Sequence, residues 1–221
     1  MKITAALTLL ATAGVMAAPA DLDERQFGGS STRTDLEDGN SSDCPSTILI
    51  FARATGERGN IGGSTGPALT GSLEREFRDI WVQGVGGPYD ASTADNLLPK
   101  GTSQAAIDEA VRLFNMANQK CPQASVVTGG YSQGTAVIAG ALPELSAAAK
   151  EQVKGAVLFG YTKNQQNDER IPDYPTERTS IFCNRGDLVC EGTLILAAPH
   201  FAYTGVARGD AADFLIDRVN A

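Results

Sequence analysis

Basic residues, histidine and long apolar runs are all scarce in this sequence, and each deficit removes a class of function. Lys and Arg total 18 against 26 Asp and Glu in 221 residues, a net charge of −8. A surface of that sign offers no footprint for a phosphate backbone, so nucleic-acid binding is excluded. Past residue 16 no apolar stretch reaches the roughly 20 residues that a membrane-spanning helix requires. Cys44, Cys121, Cys183 and Cys190 contain no C-x-x-C pair, so they do not read as a zinc site and no metal is expected. Internal repeats and low-complexity tracts are missing, and so is any insertion long enough for a large lid. One histidine, His200, is present, so any chemistry that needs an imidazole base has one candidate.

The first twenty residues carry a different signal. Lys2 precedes a nearly uncharged apolar stretch over residues 3–16, and Ala18-Pro19-Ala20 supplies small residues for cleavage. That pattern predicts a secretory signal peptide over residues 1–20 and an extracellular protein. Export makes disulfides the expected state of the four cysteines. They allow three pairings, and spacing favours Cys183 with Cys190, which leaves Cys44 for Cys121. Residues 21–43 are rich in Gly, Ser, Asp and Asn and are expected to be a flexible segment. Within it, Arg25-Gln26 is a candidate point for removal of a short pro-peptide, and Asn40-Ser41-Ser42 is a glycosylation sequon. The catalytic domain is then expected over residues 44–221.

From residue 46 onward, short β-branched runs alternate with stretches of helical spacing, the pattern of a parallel α/β sheet. Strands are predicted over residues 47–52, 80–85, 125–129, 156–160 and 180–184. Helices are predicted over 67–77, 103–119, 143–153 and 211–219. Leu69, Leu73 and Phe77 mark one apolar stripe, and Ile107, Val111, Phe114 and Ala117 another. Thr102 or Ser103 is placed to cap the second helix. The fold class is thus α/β, a three-layer sandwich around a central, mainly parallel five-stranded sheet. In such sheets ligands bind beyond the carboxyl ends of the strands.

Gly130-Tyr131-Ser132-Gln133-Gly134 fits the G-x-S-x-G turn, in which glycines let a serine project from a sharp strand-to-helix corner. Five residues alone are weak evidence, but the apolar run Val126-Val127-Thr128 leads in and Thr135-Ala136-Val137-Ile138-Ala139 leads out. Ser132 is the expected nucleophile. A serine hydroxyl needs a base, and His200, 68 positions later, completes the order serine, acid, histidine of an α/β hydrolase. Asp168, Asp173 and Asp187 all satisfy that order. Asp187 is preferred because it follows a strand through an Arg-Gly turn and lies between Cys183 and Cys190. The backbone N–H of Gln133 is the expected first oxyanion donor, and Thr55, after the first strand, is a candidate second donor.

With these residues in place the chain resembles the fungal cutinases, small secreted esterases that cleave plant cuticle polyester. The resemblance runs from Cys44 to Val219. It is carried by Trp81-Val82-Gln83-Gly84-Val85-Gly86-Gly87, Leu98-Pro99-Lys100-Gly101-Thr102-Ser103, Val157-Leu158-Phe159-Gly160-Tyr161-Thr162-Lys163, and Ala197-Ala198-Pro199-His200. It implies an α/β-hydrolase fold without a large lid and a triad of Ser132, Asp187 and His200. It also implies the same two disulfides and an oxyanion hole of Thr55 and Gln133 supported by Asn96. Thr55 departs from the serine common in the family. The resemblance further implies a cleft walled by Leu188, Val189, Leu194, Leu196 and Phe201. The expected function is hydrolysis of cutin and of short-to-medium-chain acyl esters by a monomer that needs no cofactor. The alternatives are an acetylxylan-type esterase and a non-catalytic secreted elicitor on the same scaffold.

Overall fold

The computed structural model describes residues 30–221. The expected signal peptide and the processing point at Arg25-Gln26 lie outside the described residues. Five strands form one sheet in the order β2-β1-β3-β4-β5, every neighbouring pair parallel. They are β1 Thr47–Ala52, β2 Trp81–Gly84, β3 Ser125–Tyr131, β4 Val153–Phe159 and β5 Thr179–Phe182. Both faces of the central strands are covered, which is why β1 reads as an apolar run from Ile48 to Ala52 with all six of its residues buried.

Strand periodicity divides the core in two. Ile48, Ile50 and Ala52 of β1 pack with Ile107, Leu113 and Phe114 from α3 (Gln104–Lys120) and with Val137 and Ile138 from α4 (Gln133–Glu144). Leu49 and Phe51 face the other way, toward Leu69 and Leu73 of α2 (Thr65–Glu76) and Leu215 of α7 (Asp210–Asn220). Ser103 caps α3 by accepting the Ala106 N–H, as one of the two candidate caps. β2 and β3 lie on opposite sides of β1, so the order of strand addition reverses there, and β1 and β3 flank the switch point. The crevice at that switch point is where an open α/β sheet binds ligands.

Two expectations need correction. The helix predicted over 143–153 is instead the end of α4 and a short α5 (Ala147–Gln152), because Ser146 caps a new helix by accepting the Ala149 N–H. Val153, expected to end that helix, opens β4 and pairs with Val126. Residues 30–43 of the segment expected to be flexible make specific contacts with the rest of the fold. α1 (Asp35–Asp38) buries Leu36 completely, and Thr34 bridges Gln83 on the edge strand β2. The Asp35 carboxylate accepts the Val82 N–H, and Lys120 Nζ donates to the carbonyls of Leu36, Glu37 and Gly39. One apolar anchor and a set of charged contacts to distant elements hold what composition alone marks as loose. Asn40 is exposed at the end of this segment.

Candidate active site

β3 runs into α4 through Ser132, whose backbone is forced to φ 51° and ψ −120°. A non-glycine residue at positive φ is strained and is held only by its surroundings. Here the Ser132 N–H donates to the Phe159 carbonyl at 2.9 Å and its carbonyl accepts from Thr135. The glycines of the motif have a steric reason: a Cβ on Gly134 would collide with the Ala52 carbonyl, and one on Gly130 would lie 2.5 Å from the Gly134 carbonyl oxygen.

Three expected side chains meet at this turn. His200 Nε2 lies 2.9 Å from Ser132 Oγ, and His200 Nδ1 lies 2.9 Å and 3.0 Å from the two carboxylate oxygens of Asp187. His200 is 2% exposed and Asp187 1%, so the pair is shielded from water. Gly160, at φ 60° past the end of β4, makes room for them, since a Cβ there would stand 2.8 Å from the imidazole. Asp187 sits in the loop closed by the Cys183–Cys190 disulfide, and its N–H donates to the Asn184 carbonyl. The second bridge joins Cys44 to Cys121, so both expected pairings are present. Asp168 and Asp173 are exposed; Asp168 pairs with Arg170 on the surface and neither joins the site.

Gln133 is wholly buried as the first residue of α4, where a backbone N–H has no intrahelical acceptor. Thr55 faces the same cleft, and its Oγ1 accepts from Asn96 Nδ2 at 3.0 Å. Since Asn96 Nδ2 donates to one lone pair of this oxygen, the Thr55 proton is left for another acceptor. Two further bonds tie these pieces together. Gly56 N–H donates to the Ala91 carbonyl, and Gln133 Nε2 donates to the Ser92 carbonyl. Glu57 braces the Thr55 loop by accepting the Ala54 N–H.

The cleft above Ser132 has a volume of about 220 Å³ and is lined by Val189, Leu194, Leu196 and Phe201, as expected. Leu188 does not line it. Its carbonyl accepts from the Thr193 N–H and hydroxyl, which fixes the turn after the disulfide loop. Sequence reasoning missed Leu97, Thr93, Thr162 and Tyr131 as wall residues. Leu97 had a usable signal, because it follows Asn96 directly; it is 78% exposed, and Phe201 is 62% exposed. Tyr131 and Tyr203 were also missed as supports. The Tyr131 hydroxyl donates to the His200 carbonyl at 2.8 Å, and the Tyr203 hydroxyl donates to Asp187 Oδ2. Burial raises the pKa of both phenols well above the usual tyrosine value, with Asp187 nearby adding to it, so both remain donors.

The cutinase family profile matches residues 43–219. The chain is 55% identical over 226 residues to a cutinase of Pyricularia oryzae, covering 99% of this chain and 98% of that one. Among solved structures it is similar to a Trichoderma reesei cutinase in complex with a C11Y4 phosphonate inhibitor. That match has a TM-score of 0.74 and 30% identity, over 86% of this chain and 80% of the other. An acetyl xylan esterase shares the fold at a TM-score of 0.66 and 19% identity, over 80% and 99% of the two chains.

Proposed function

The chain belongs to the cutinase family and is a cutinase-like serine esterase, and from that premise we propose that Ser132, His200 and Asp187 carry its reaction. His200 Nε2 takes the Ser132 proton as Oγ bonds to the ester carbonyl carbon, and the carbonyl electron pair moves onto oxygen. The oxyanion so formed is received by the Gln133 N–H and by Thr55. Collapse breaks the carbon–oxygen bond, and the imidazolium proton passes to the leaving alkoxide. Water then repeats the sequence on the acyl-enzyme, releasing the acid and restoring the Ser132 hydroxyl. The imidazole must be neutral to begin each half, so acidification lowers the rate.

The observation that carries this reading is the 2.9 Å contact between Ser132 Oγ and His200 Nε2 at the floor of an apolar cleft with exposed walls. Leu97, Leu194, Leu196 and Phe201 suit acyl chains better than the hydroxyl groups of a sugar, which favours cutin and short-to-medium-chain esters as substrates. The two disulfides support an oxidising, extracellular site of action, and the acidic charge supports a protein that acts without nucleic acid. A monomer suffices, because every proposed catalytic group comes from one chain.

Treatment with an organophosphonate, the inhibitor class named for the Trichoderma reesei relative, tests the assignment. One adduct per chain is expected at Ser132, and none in His200→Ala. Labelling at another residue would overturn it. The same preparation should turn over butyrate to octanoate esters and insoluble polyester faster than acetylated xylan, and the reverse order would favour the carbohydrate esterase.

A further inference from the structure

Tyr203 is wholly buried and touches the triad twice. Its ring stands edge-on to the His200 imidazole, with centroids 6.3 Å apart and planes at 88°. Tyr131 at 5.9 Å and Phe159 at 6.1 Å hold that ring from other sides. The Tyr203 hydroxyl lies 2.5 Å from Asp187 Oδ2 and 3.0 Å from the backbone N of Asn184. The Asn184 N–H can only donate, so the phenol oxygen is its acceptor. The single hydroxyl proton is therefore committed to the carboxylate.

The consequence concerns the plane of that carboxylate. The terminal torsion of an aspartate is broad and roughly two-fold, so a carboxylate turns easily unless both oxygens are held. In Asp187 each oxygen has one fixed donor: Oδ1 accepts the Val189 N–H at 3.0 Å, and Oδ2 accepts from Tyr203. His200 Nδ1 meets both oxygens within that frame. Tyr203 also follows His200 by three residues, just past the 3-10 turn Ala198–Phe201, so base and brace are carried by one short stretch of chain.

We propose that the Tyr203 hydroxyl is a positioning group for the esterase reaction: it sets the Asp187 carboxylate plane that receives His200 Nδ1–H, and thereby aims Nε2 at Ser132. The inference rests on the triad proposed above. Tyr203→Phe keeps the ring and removes the hydroxyl. Because His200 is the sole histidine, the downfield Nδ1–H resonance in proton NMR reports on this residue alone. Tyr174→Phe is the matched control, since Tyr174 is also buried and its hydroxyl donates to the Val153 carbonyl at 2.9 Å, away from the site.

With rates expressed per phosphonate-titrated site, Tyr203→Phe is expected to lower kcat about tenfold at nearly constant KM, the signature of an interaction made in the transition state. The His200 resonance should shift or broaden, while Tyr174→Phe changes neither. An unchanged kcat and resonance in Tyr203→Phe, or equal losses in Tyr174→Phe, would overturn the proposal. Should Tyr203→Phe not fold, replacing all five tyrosines by 3-fluorotyrosine keeps each ring and hydroxyl while strengthening the donor. The resonance is then expected to move, and a fixed resonance overturns the proposal. Wild-type protein that takes no phosphonate at Ser132 would remove the triad itself, and with it this role for Tyr203.

Discussion

Asn96 donates its side-chain N–H to Thr55 Oγ1 at 3.0 Å, which occupies one lone pair of the hydroxyl and leaves its proton free to donate. A hydroxyl aimed in this way serves an oxyanion, because it needs no reorientation when charge develops. Thr55→Ala should therefore lower kcat about 10²-fold, the cost of one oxyanion donor, with little change in KM. Thr55→Ser keeps the hydroxyl and removes the methyl that restricts its rotamer, so it should retain most of the activity. Steady-state kinetics on a butyrate ester decide the matter, and equal losses in both variants would show that the methyl, not the hydroxyl, is what counts.

Asp187 accepts from Val189, Tyr203 and His200 and donates to none of them. An amide in its place has one oxygen for these three donors and turns its NH₂ toward one of them. Asp187→Asn should lower kcat about 10⁴-fold by allowing the wrong imidazole tautomer. Asp168→Asn and Asp173→Asn, both on the exposed surface, should leave kcat unchanged. A comparable loss in either would return them as candidates for the acid.

Much of this site is legible in the sequence because its constraints are local. The glycines around Ser132, the single histidine, and Asp187 between two cysteines each announce themselves within a few residues. All five strands were placed, with ends shifted by up to three residues, since periodicity marks a strand's middle better than its ends. What escaped depends on contacts between distant segments. Leu36 is the lone large apolar residue among residues 30–43, and only its pocket against the β2 side of the sheet makes it an anchor. Leu188 looks like a wall residue, yet the turn sealed by Thr193 keeps it out of the cleft. Tyr131 and Tyr203 read as ordinary aromatic core, and only the fold brings their hydroxyls to His200 and Asp187.

The tyrosines should govern alkaline stability. All five have raised pKa values with burial as the first cause, Tyr161 being pushed up to about 12 and the others further. In the unfolded chain a phenol ionises near pH 10, so above that pH the folded state binds more protons and stability falls as pH rises. The stabilisation is complete below about pH 10 and is lost as the folded values are approached. Tyrosinate absorbance should stay flat past pH 10 and then appear together with loss of circular dichroism. A gradual rise in absorbance at intact structure would mean that at least one phenol is freely accessible.

The two disulfides should separate stability from catalysis. Cys44 precedes β1, and Cys121 ends α3 ahead of β3, so their bridge lies at the amino ends of the strands, opposite the edge that carries Ser132. It spans 77 residues, and cross-linking a loop of that length contributes about 4 kcal/mol in the chain-entropy account. Cys44→Ala with Cys121→Ala should lower Tm by about 10 °C, using the stability slope of a domain this size. Its kcat at 25 °C should remain that of the wild type. The Cys183–Cys190 bridge spans only 7 residues and constrains the unfolded chain less, but the loop it closes carries Asp187. Cys183→Ala with Cys190→Ala should lower Tm by less and kcat by far more. Calorimetry and initial rates on the two variants make the comparison, and a matching loss of kcat in both would contradict the assignment of Asp187 to a loop held in place by its own bridge.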